Sequence, residues 1–457
     1  MPAAGPPATT TSRATPSIGL IPSLAFAVGT MVGGGVFTLS GTAINEAGPA
    51  AIVAYLAAGL IMFFSALSFV AVAGRAKAGE SGYAPVADIL GPVWRFVAMW
   101  GFYLNGVLIL AFLAVSFGDY LHDYFVGAIG PLAAGVIVLI AVAALNLGPT
   151  RLIGQAETYI VGIKIGLLIA FGIAGLTNFG DASFSPFSLH GTSGVLEMTA
   201  LLFTAYTGFN VVTNMAGSLK NPERTVPVAV IGSIAMSAVI YMVVIVAMLA
   251  SGVDHFGPAG VGQAAQALMG DTGAYLIAFA ACLSTLSGAN ANLLGANEVM
   301  LKLVAQGDVP PATGRQRQGH PVISVAFIAT ITVVLVLVAD TDDVVALANI
   351  GALVAMIVVN AAAFRLARTG WPGPGLRLPG GPIIPLIAAV SCLVQFPSLG
   401  WTRVLVGLLL MAGGLLIYGR RDEERWGGEA AEAARTAIAN LDTPLARAMR
   451  SHDRVAG

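Results

Sequence analysis

Long apolar stretches, separated by short polar or Pro/Gly-containing connections, recur along almost the whole chain. Most are close to the roughly 20 residues that a helix needs to cross a bilayer. The pattern predicts an all-α polytopic membrane protein with about twelve transmembrane helices. Their expected positions are residues 18–43, 49–73, 94–120, 131–147, 156–176, 196–218, 227–250, 273–303, 321–339, 343–365, 382–397 and 401–419.

Composition narrows the class of protein further. Of 457 residues, 57% are hydrophobic and only 10% are charged, whereas a soluble domain carries about 25% charged residues. The formal net charge is −1, so the chain lacks the basic surface that nucleic-acid binding requires. These numbers exclude a soluble enzyme, a disordered chain and a nucleic-acid binder. The two cysteines and five histidines do not cluster in the sequence, and we expect no metal and no cofactor.

Basic residues lie on one side of the predicted topology. With the N-terminus placed in the cytoplasm, the inner connections hold residues such as Arg75, Lys220, Arg315 and Arg365, and the outer connections hold only Arg403. The positive-inside rule then puts both termini in the cytoplasm. We expect a multi-pass protein of the plasma membrane, surrounded by lipid.

The two ends of the chain differ from the apolar middle. Residues 1–16 are rich in Pro, Ala and Thr and predict a disordered cytoplasmic N-terminus. Residues 17–419 predict one transmembrane domain, and residues 420–457, rich in Ala, Glu and Arg, predict a cytoplasmic tail.

Three consecutive glycines, Gly33, Gly34 and Gly35, lie in the middle of the first predicted span. Glycines also allow membrane helices to pack closely, but packing needs them about four residues apart on one face. Adjacent glycines point in different directions and are poor helix formers. They favour a broken helix, which a membrane tolerates only where the free backbone groups line a cavity or are buried in protein.

A second interruption, Phe203–Asn210, falls in the sixth predicted span, five spans after the first. Interrupted spans at corresponding places in two halves are typical of inverted-repeat transporters. Half-helix N-termini offer N–H groups to a carboxylate, and half-helix C-termini offer carbonyls to an ammonium group or a cation. A zwitterionic amino acid matches both.

Five segments, which make up four motifs in this order, resemble those of the amino acid–polyamine–organocation (APC) superfamily of permeases. They are the first-span segment Gly29–Phe37, the loop Gly79–Pro85, the sixth-span segments Phe203–Phe209 and Lys220–Pro227, and the eighth-span segment Leu283–Ala291. The loop departs from the family pattern, because Ala78 stands where proline is usual and Gly82 lacks its paired glycine.

The resemblance implies a leucine-transporter-like fold with a 5+5 inverted repeat and broken helices 1 and 6. Repeat one would cover about residues 17–177 and repeat two about 195–366, with peripheral helices over about 382–419. Members of the family move amino acids or amines by alternating access.

The resemblance also implies the residues of a substrate site. Backbone amides of the first break would bind the carboxylate, and the second break would supply carbonyls and walls. Together with one third-span residue, the candidates are Val32, Gly33, Gly34, Gly35, Asn105, Phe203, Thr204, Ala205, Tyr206 and Thr207. Phe203 and Tyr206 fit a role as core aromatics equally well. Asn105 either faces the site or makes an interhelical hydrogen bond.

Lys164 lies within the fifth predicted span, in the segment Glu157–Leu168. Such a lysine can extend to the interface, but an intramembrane charge is functional by default. In proton-coupled relatives a fifth-span lysine occupies the place where sodium-coupled relatives bind sodium. The resemblance therefore implies proton coupling at Lys164, bridging the first break to the eighth-span hydroxyls Ser284 and Ser287.

The combined hypothesis is a secondary active amino acid permease that works by proton symport and has no enzyme activity. An amino acid exchanger and a sodium-coupled symporter are the alternatives within transporters. A channel would show a continuous polar stripe, and a membrane enzyme would show a catalytic cluster; the sequence shows neither. Asn210 stands where some relatives carry a carboxylate, and Gly217 and Ser218 replace their acidic residues, so the substrate is expected to be neutral.

Overall fold

The computed structural model describes residues 19–77, 80–147, 153–181, 184–214, 219–315, 321–372 and 375–421. The predicted N-terminus, 1–16, lies outside the described residues, and so does the predicted tail beyond Arg421. The same holds for two residues of the loop motif, Ala78 and Gly79, and for Gly217 and Ser218.

The described chain folds into helices joined by short turns. In the first half these are α1 (Leu20–Met31), α2 (Gly34–Ala47), α3 (Ala51–Ala73), α4 (Val86–Leu90), α5 (Pro92–Tyr124), α6 (Pro131–Asn146) and α7 (Ile153–Thr177). In the second half they are α8 (Gly191–Leu202), α9 (Val211–Asn214), α10 (Pro222–Ala250), α11 (Gly260–Ala305), α12 (Val322–Val338), α13 (Thr341–Arg368), α14 (Ile383–Val394) and α15 (Trp401–Gly419).

Two of the predicted spans are each made of two helices. The first span consists of α1 and α2, and the sixth consists of α8 and α9, with a short 3-10 turn at Phe203–Tyr206 between them. The all-α architecture of about twelve spans with breaks in helices 1 and 6 is therefore confirmed. Within the described residues, seven helical segments are long and apolar enough to cross a membrane.

A short helix precedes the eighth span, whose own helix begins after Gly270, close to the predicted residue 273. α11 runs from Gly260 and bends at Gly270, whose backbone has φ 70° and ψ −171°. This positive φ suits glycine, which has no Cβ. The segment before the bend is a short helix that the sequence analysis did not predict, because its polar residues dilute the apolar run.

α5 lies at the centre of the bundle and packs against α6, α11, α12, α13 and α15. Its contact with α13 is backbone to backbone: a Cβ added at Gly101 would lie 2.5 Å from the Gly351 carbonyl oxygen. A Cβ added at Gly351 would likewise lie 2.5 Å from the Gly101 oxygen. Small residues of this kind let membrane helices approach closely, and this pair holds α13 directly against the central helix.

A buried carboxylate joins three parts of the bundle at the end of α11. Asp308 is 1% exposed and lies 2.5 Å from Arg95 of α5, measured between Oδ2 and a guanidinium nitrogen. Arg421, just after α15, approaches the other carboxylate oxygen at 3.8 Å and rests over the Tyr418 ring. The cluster therefore links the start of α5 to the ends of α11 and α15.

We expect Asp308→Asn to lower the thermal unfolding midpoint of the purified protein clearly. Removing one partner of a buried ion pair costs about 3–5 kcal/mol, because the other charge stays buried without its counterion. The matched control is Asp343→Asn, which removes the half-exposed pair with Arg403 and should cost only about 0–1 kcal/mol. Equal midpoint shifts for the two variants would contradict the structural importance of Asp308.

Candidate functional site

The first break separates α1 from α2 over Val32 and Gly33. α2 starts with Gly33 at its N-cap position, and no side chain caps it. The first N–H groups of a helix have no intrahelical partner, and they carry partial positive charge. The close approach of the two breaks leaves little room for a side chain at Gly35, because a Cβ there would lie 3.0 Å from the Ala205 Cβ of the second break. The open amide end of α2 therefore points into the middle of the bundle.

The second break follows α8. After the turn Phe203–Tyr206, Thr207 is extended (φ −75°, ψ 159°), and Gly208 has φ 112°. A side chain at Gly208 would be strained by this φ, and its Cβ would also lie 3.0 Å from the Thr30 side chain. The two breaks thus touch each other, because glycines in each allow the close approach.

The carbonyl end of α1 is held by three side chains from three other helices. Lys164 Nζ of α7 donates to the Gly29 oxygen, and the Tyr241 hydroxyl of α10 donates to the Met31 oxygen at 2.8 Å. Ser284 Oγ of α11 donates to the Val32 oxygen at 2.7 Å. These bonds satisfy carbonyls that lack helical partners at a C-terminus and fix α1 within the bundle.

The carbonyl end of α8 is held in a similar way. Asn349 Nδ2 of α13 donates to the Ala200 and Leu201 oxygens, each at 2.9 Å. Asn349 is fully buried. The amine of a lysine therefore caps the first broken span, and the amide of an asparagine caps the second.

A cavity lies where the two breaks meet α5 and α11. It contains about 730 Å³ of space between atoms, including the part open to solvent. None of the described residues that line it carries a charged side chain. They are Thr30, Met31, Gly33, Gly34, Gly35, Phe102, Asn105, Gly106, Ile109, Phe112, Leu113, Thr204, Ala205, Thr207, Gly208, Asn210, Gly288, Ala291, Asn292, Gly295 and Ala296.

Seven of the ten predicted substrate-site residues line this cavity: Gly33, Gly34, Gly35, Asn105, Thr204, Ala205 and Thr207. Thr204 brings a buried hydroxyl that has no hydrogen-bond partner. Asn105 combines both roles considered for it, because its Nδ2 donates to the Ala348 oxygen of α13 at 3.1 Å while the residue lines the cavity.

Val32, Phe203 and Tyr206 do not line the cavity, which departs from the predicted substrate site. All three are fully buried. The Tyr206 ring packs on Tyr241 with centroids 5.1 Å apart, and its hydroxyl donates to the Tyr55 oxygen at 3.0 Å. Tyr206 therefore belongs to the packing behind the second break, where it contacts α3 and α10.

Two of the three predicted coupling residues, Lys164 and Ser284, contact the first break. Lys164 and Ser284 are both fully buried, and Ser287 is 5% exposed. Lys164 and Ser284 hold different carbonyls of the same helix end, Gly29 and Val32. The helices are also in close contact, because a Cβ at Gly29 would overlap the Val161 side chain of α7.

Two stripes of lining residues were missed by the sequence analysis. On α5 they recur every three or four positions, at Phe102, Gly106, Ile109 and Phe112 with Leu113; on α11 they are Gly288, Ala291 with Asn292, and Gly295 with Ala296. The small residues of α11 at helical spacing were the available signal. They indicate a helix face that leaves room beside it.

The cavity is closed at its α2 end. The Asn45 side chain donates to the Phe256 oxygen at 2.8 Å and accepts from the Phe256 N–H at 2.9 Å, tying α2 to the connection between α10 and α11. The Tyr120 hydroxyl of α5 donates to the Phe37 oxygen at 2.7 Å. Lining residues of α5 stop at Leu113, so the cavity extends from the breaks toward the α1 side.

Comparison with known proteins adds the family. A sequence model for the family described as amino acid permease matches residues 18–415. The branched-chain amino acid permease BcaP of Bacillus subtilis is 26% identical over 419 residues, covering 86% of this chain and 90% of that protein. The methylthioribose transporter of the same species is 26% identical over 421 residues, covering 86% and 90%.

The fold is also similar to a solved structure. The crystal structure of MhsT in complex with L-phenylalanine matches with a TM-score of 0.55 at 17% sequence identity, covering 86% of this chain and 98% of that one. The similarity supports the fold alone and confirms the predicted leucine-transporter-like arrangement.

Proposed function

Because this chain belongs to the amino acid permease family, we propose that it is a proton-coupled symporter that carries neutral amino acids across the plasma membrane by alternating access. One observation carries the substrate class: the uncapped amide end of α2 opens into a cavity whose lining has no charged side chain. Backbone amides attract a carboxylate, and the nearby carbonyls of the second break suit an ammonium group.

Binding of the carboxylate is assigned to the amides at Gly34 and Gly35, with Gly33 at the helix start. The second break contributes Thr204 and Thr207, whose hydroxyls can bond a polar group of the substrate. The unpartnered Thr204 hydroxyl supports this assignment, because a buried hydroxyl without a partner costs free energy that a bound ligand can recover.

We expect leucine, alanine or serine to compete for uptake better than arginine or lysine. A cationic side chain would enter a cavity without a carboxylate to pair with it, and burying an unpaired charge costs several kcal/mol. The measurement is competition against radiolabelled L-leucine in proteoliposomes, with methylthioribose included because one relative carries it. Stronger competition by arginine or lysine would show that the neutral-substrate proposal is wrong.

Proton coupling is assigned to Lys164, with Ser284 and Ser287 beside it. The support is its complete burial and its bond to the Gly29 carbonyl. Burial disfavours a charged ammonium group, and separation of α1 from α7 would give this amine the contact with water through which a proton is exchanged. Without the charge, α1 is held less firmly against α7 and the α1 side can open.

The proposed orientation puts both termini in the cytoplasm. Basic residues in the connections on the α1 side, such as Arg75 and Lys77, support it through the positive-inside rule. In this orientation the cavity extends toward the cytoplasm, and the closure at Asn45 lies on the outer side.

Uptake driven by separately imposed gradients tests the coupling. Proteoliposomes with an inward pH gradient and no sodium should accumulate L-leucine, and a sodium gradient alone should not. Accumulation that requires sodium would favour the sodium-coupled symporter. Uptake that requires an amino acid inside the vesicle would favour the exchanger.

A further inference from the structure

One buried hydroxyl contacts both broken spans at once. The Tyr241 hydroxyl of α10 lies 2.8 Å from the Met31 oxygen of the first break and 2.6 Å from the Ala205 oxygen of the second. Both distances are within the normal range for O–H···O hydrogen bonds. Met31 and Ala205 also line the cavity, while Tyr241 is fully buried behind them. The single O–H proton is shared between these two carbonyl oxygens, so the hydroxyl links the two breaks from outside the cavity.

The ring of Tyr241 is itself held in place. It packs against Tyr55 with centroids 5.3 Å apart and against Tyr206 at 5.1 Å. The Tyr55 hydroxyl pairs with Ser40 Oγ of α2 at 2.9 Å, and the Tyr206 hydroxyl bonds the Tyr55 backbone. This cluster of three tyrosines connects α2, α3, the second break and α10, so the Tyr241 hydroxyl has little freedom to move.

We infer that Tyr241 is a positioning residue, which sets the spacing between the two breaks so that one amino acid can engage both. The inference rests on the proposed function, because it requires a substrate with both a carboxylate and an ammonium group. Two binding groups on one molecule gain affinity only when their sites are held at the matching distance. If that distance is no longer fixed, the affinity for the whole zwitterion should fall, and the affinity for molecules with a single charged group should stay unchanged.

The test compares three ligands of similar shape. L-leucine carries both groups, 4-methylpentanoate carries only the carboxylate, and 3-methylbutylamine carries only the ammonium group. Their inhibition constants are measured against radiolabelled L-leucine binding to the full-length purified protein. In Tyr241→Phe, which keeps the ring, the L-leucine constant should rise about five- to tenfold, the worth of one lost hydrogen bond. The constants of the two single-group ligands should stay within about twofold.

The matched control is Tyr55→Phe. It removes a hydroxyl from the same cluster, but that hydroxyl pairs with Ser40 in the middle of α2 and makes no hydrogen bond to a backbone oxygen of the described residues of either break. All three ligands should bind this variant as they bind the unmodified protein. A second variant, Tyr241→4-aminophenylalanine, restores an N–H donor at the same place and should return the L-leucine constant to its original value.

The possible results separate the two proposals. Equal weakening of all three ligands in Tyr241→Phe, or an unchanged L-leucine constant, would overturn the positioning role. If too little folded Tyr241→Phe protein is recovered, the 4-aminophenylalanine variant provides the test. Weak L-leucine binding by that variant would overturn the inference. Absence of L-leucine and other neutral amino acid binding to the unmodified protein would overturn the proposed function itself.

Discussion

The Gly34→Leu variant is expected to lose substrate binding while it remains folded. A Cβ at Gly34 would lie 2.5 Å from Leu113 Cδ2 and 3.3 Å from Phe112 Cε1, and both of these side chains line the cavity. The rest of a leucine side chain would occupy the space beside the amide end of α2. Losing hydrogen bonds to a charged carboxylate, worth about 1.5–3 kcal/mol each, should weaken binding by roughly 100-fold or more.

Binding of radiolabelled L-leucine by the purified variant measures the effect, and size-exclusion chromatography reports folding. Gly162→Leu serves as the control, because Gly162 is exposed on α7 and a Cβ there meets no other atom within 4 Å. That variant should bind normally. Normal uptake by Gly34→Leu would rule out a carboxylate site at the first break.

The second large effect is expected from Lys164→Ala, which should lose proton-driven accumulation and keep measurable substrate binding. Alanine removes both the charge and the bond to the Gly29 oxygen, so no group remains there to release a proton. The cavity itself is untouched, because Lys164 does not line it. With an inward pH gradient, the ratio of internal to external L-leucine should fall to the value found without a gradient.

Val161→Ala separates loss of charge from loss of packing. Val161 lies on α7 one turn before Lys164 and makes the close contact with α1 at Gly29. Trimming it loosens the same pair of helices and leaves the ammonium group in place, so accumulation should still follow the pH gradient. Accumulation that follows the gradient in Lys164→Ala would refute the coupling role.

The sequence was sufficient to locate the spans and both breaks. Apolar length indicates a membrane helix without tertiary information, because the bilayer fixes the length required. The consecutive glycines at 33–35 and the interrupted segment Phe203–Asn210 marked the breaks. In the structure, α1 ends at Met31 and α8 ends at Leu202. Both signals are local, since each depends on how poorly those residues themselves form an α-helix.

The faces of the helices were harder to predict. In a helix of a soluble protein, the polar side shows which face meets solvent. In α5 most positions are apolar, so the sequence does not distinguish the cavity-lining face with Phe102, Ile109 and Phe112 from the other faces. The direction of Tyr206 depends on the dihedral angles of one 3-10 turn, which residue identity does not fix. The carbonyl caps from Tyr241 and Asn349 join residues far apart in the chain and appear only when the helices are assembled.

The two caps differ in a way that bears on the symmetry of the transport cycle. Lys164 lies in the fifth helix of the first repeat and Asn349 in the fifth helix of the second. The scaffold is thus symmetric in shape, but only the first repeat is capped by a group that can gain or lose a proton. With Lys164 as the proton carrier, a change in pH alters the free energy of opening toward the α1 side and leaves the opposite opening nearly unaffected. Lysine in one repeat and asparagine at the corresponding place in the other would thus make the two inverted halves respond differently to pH.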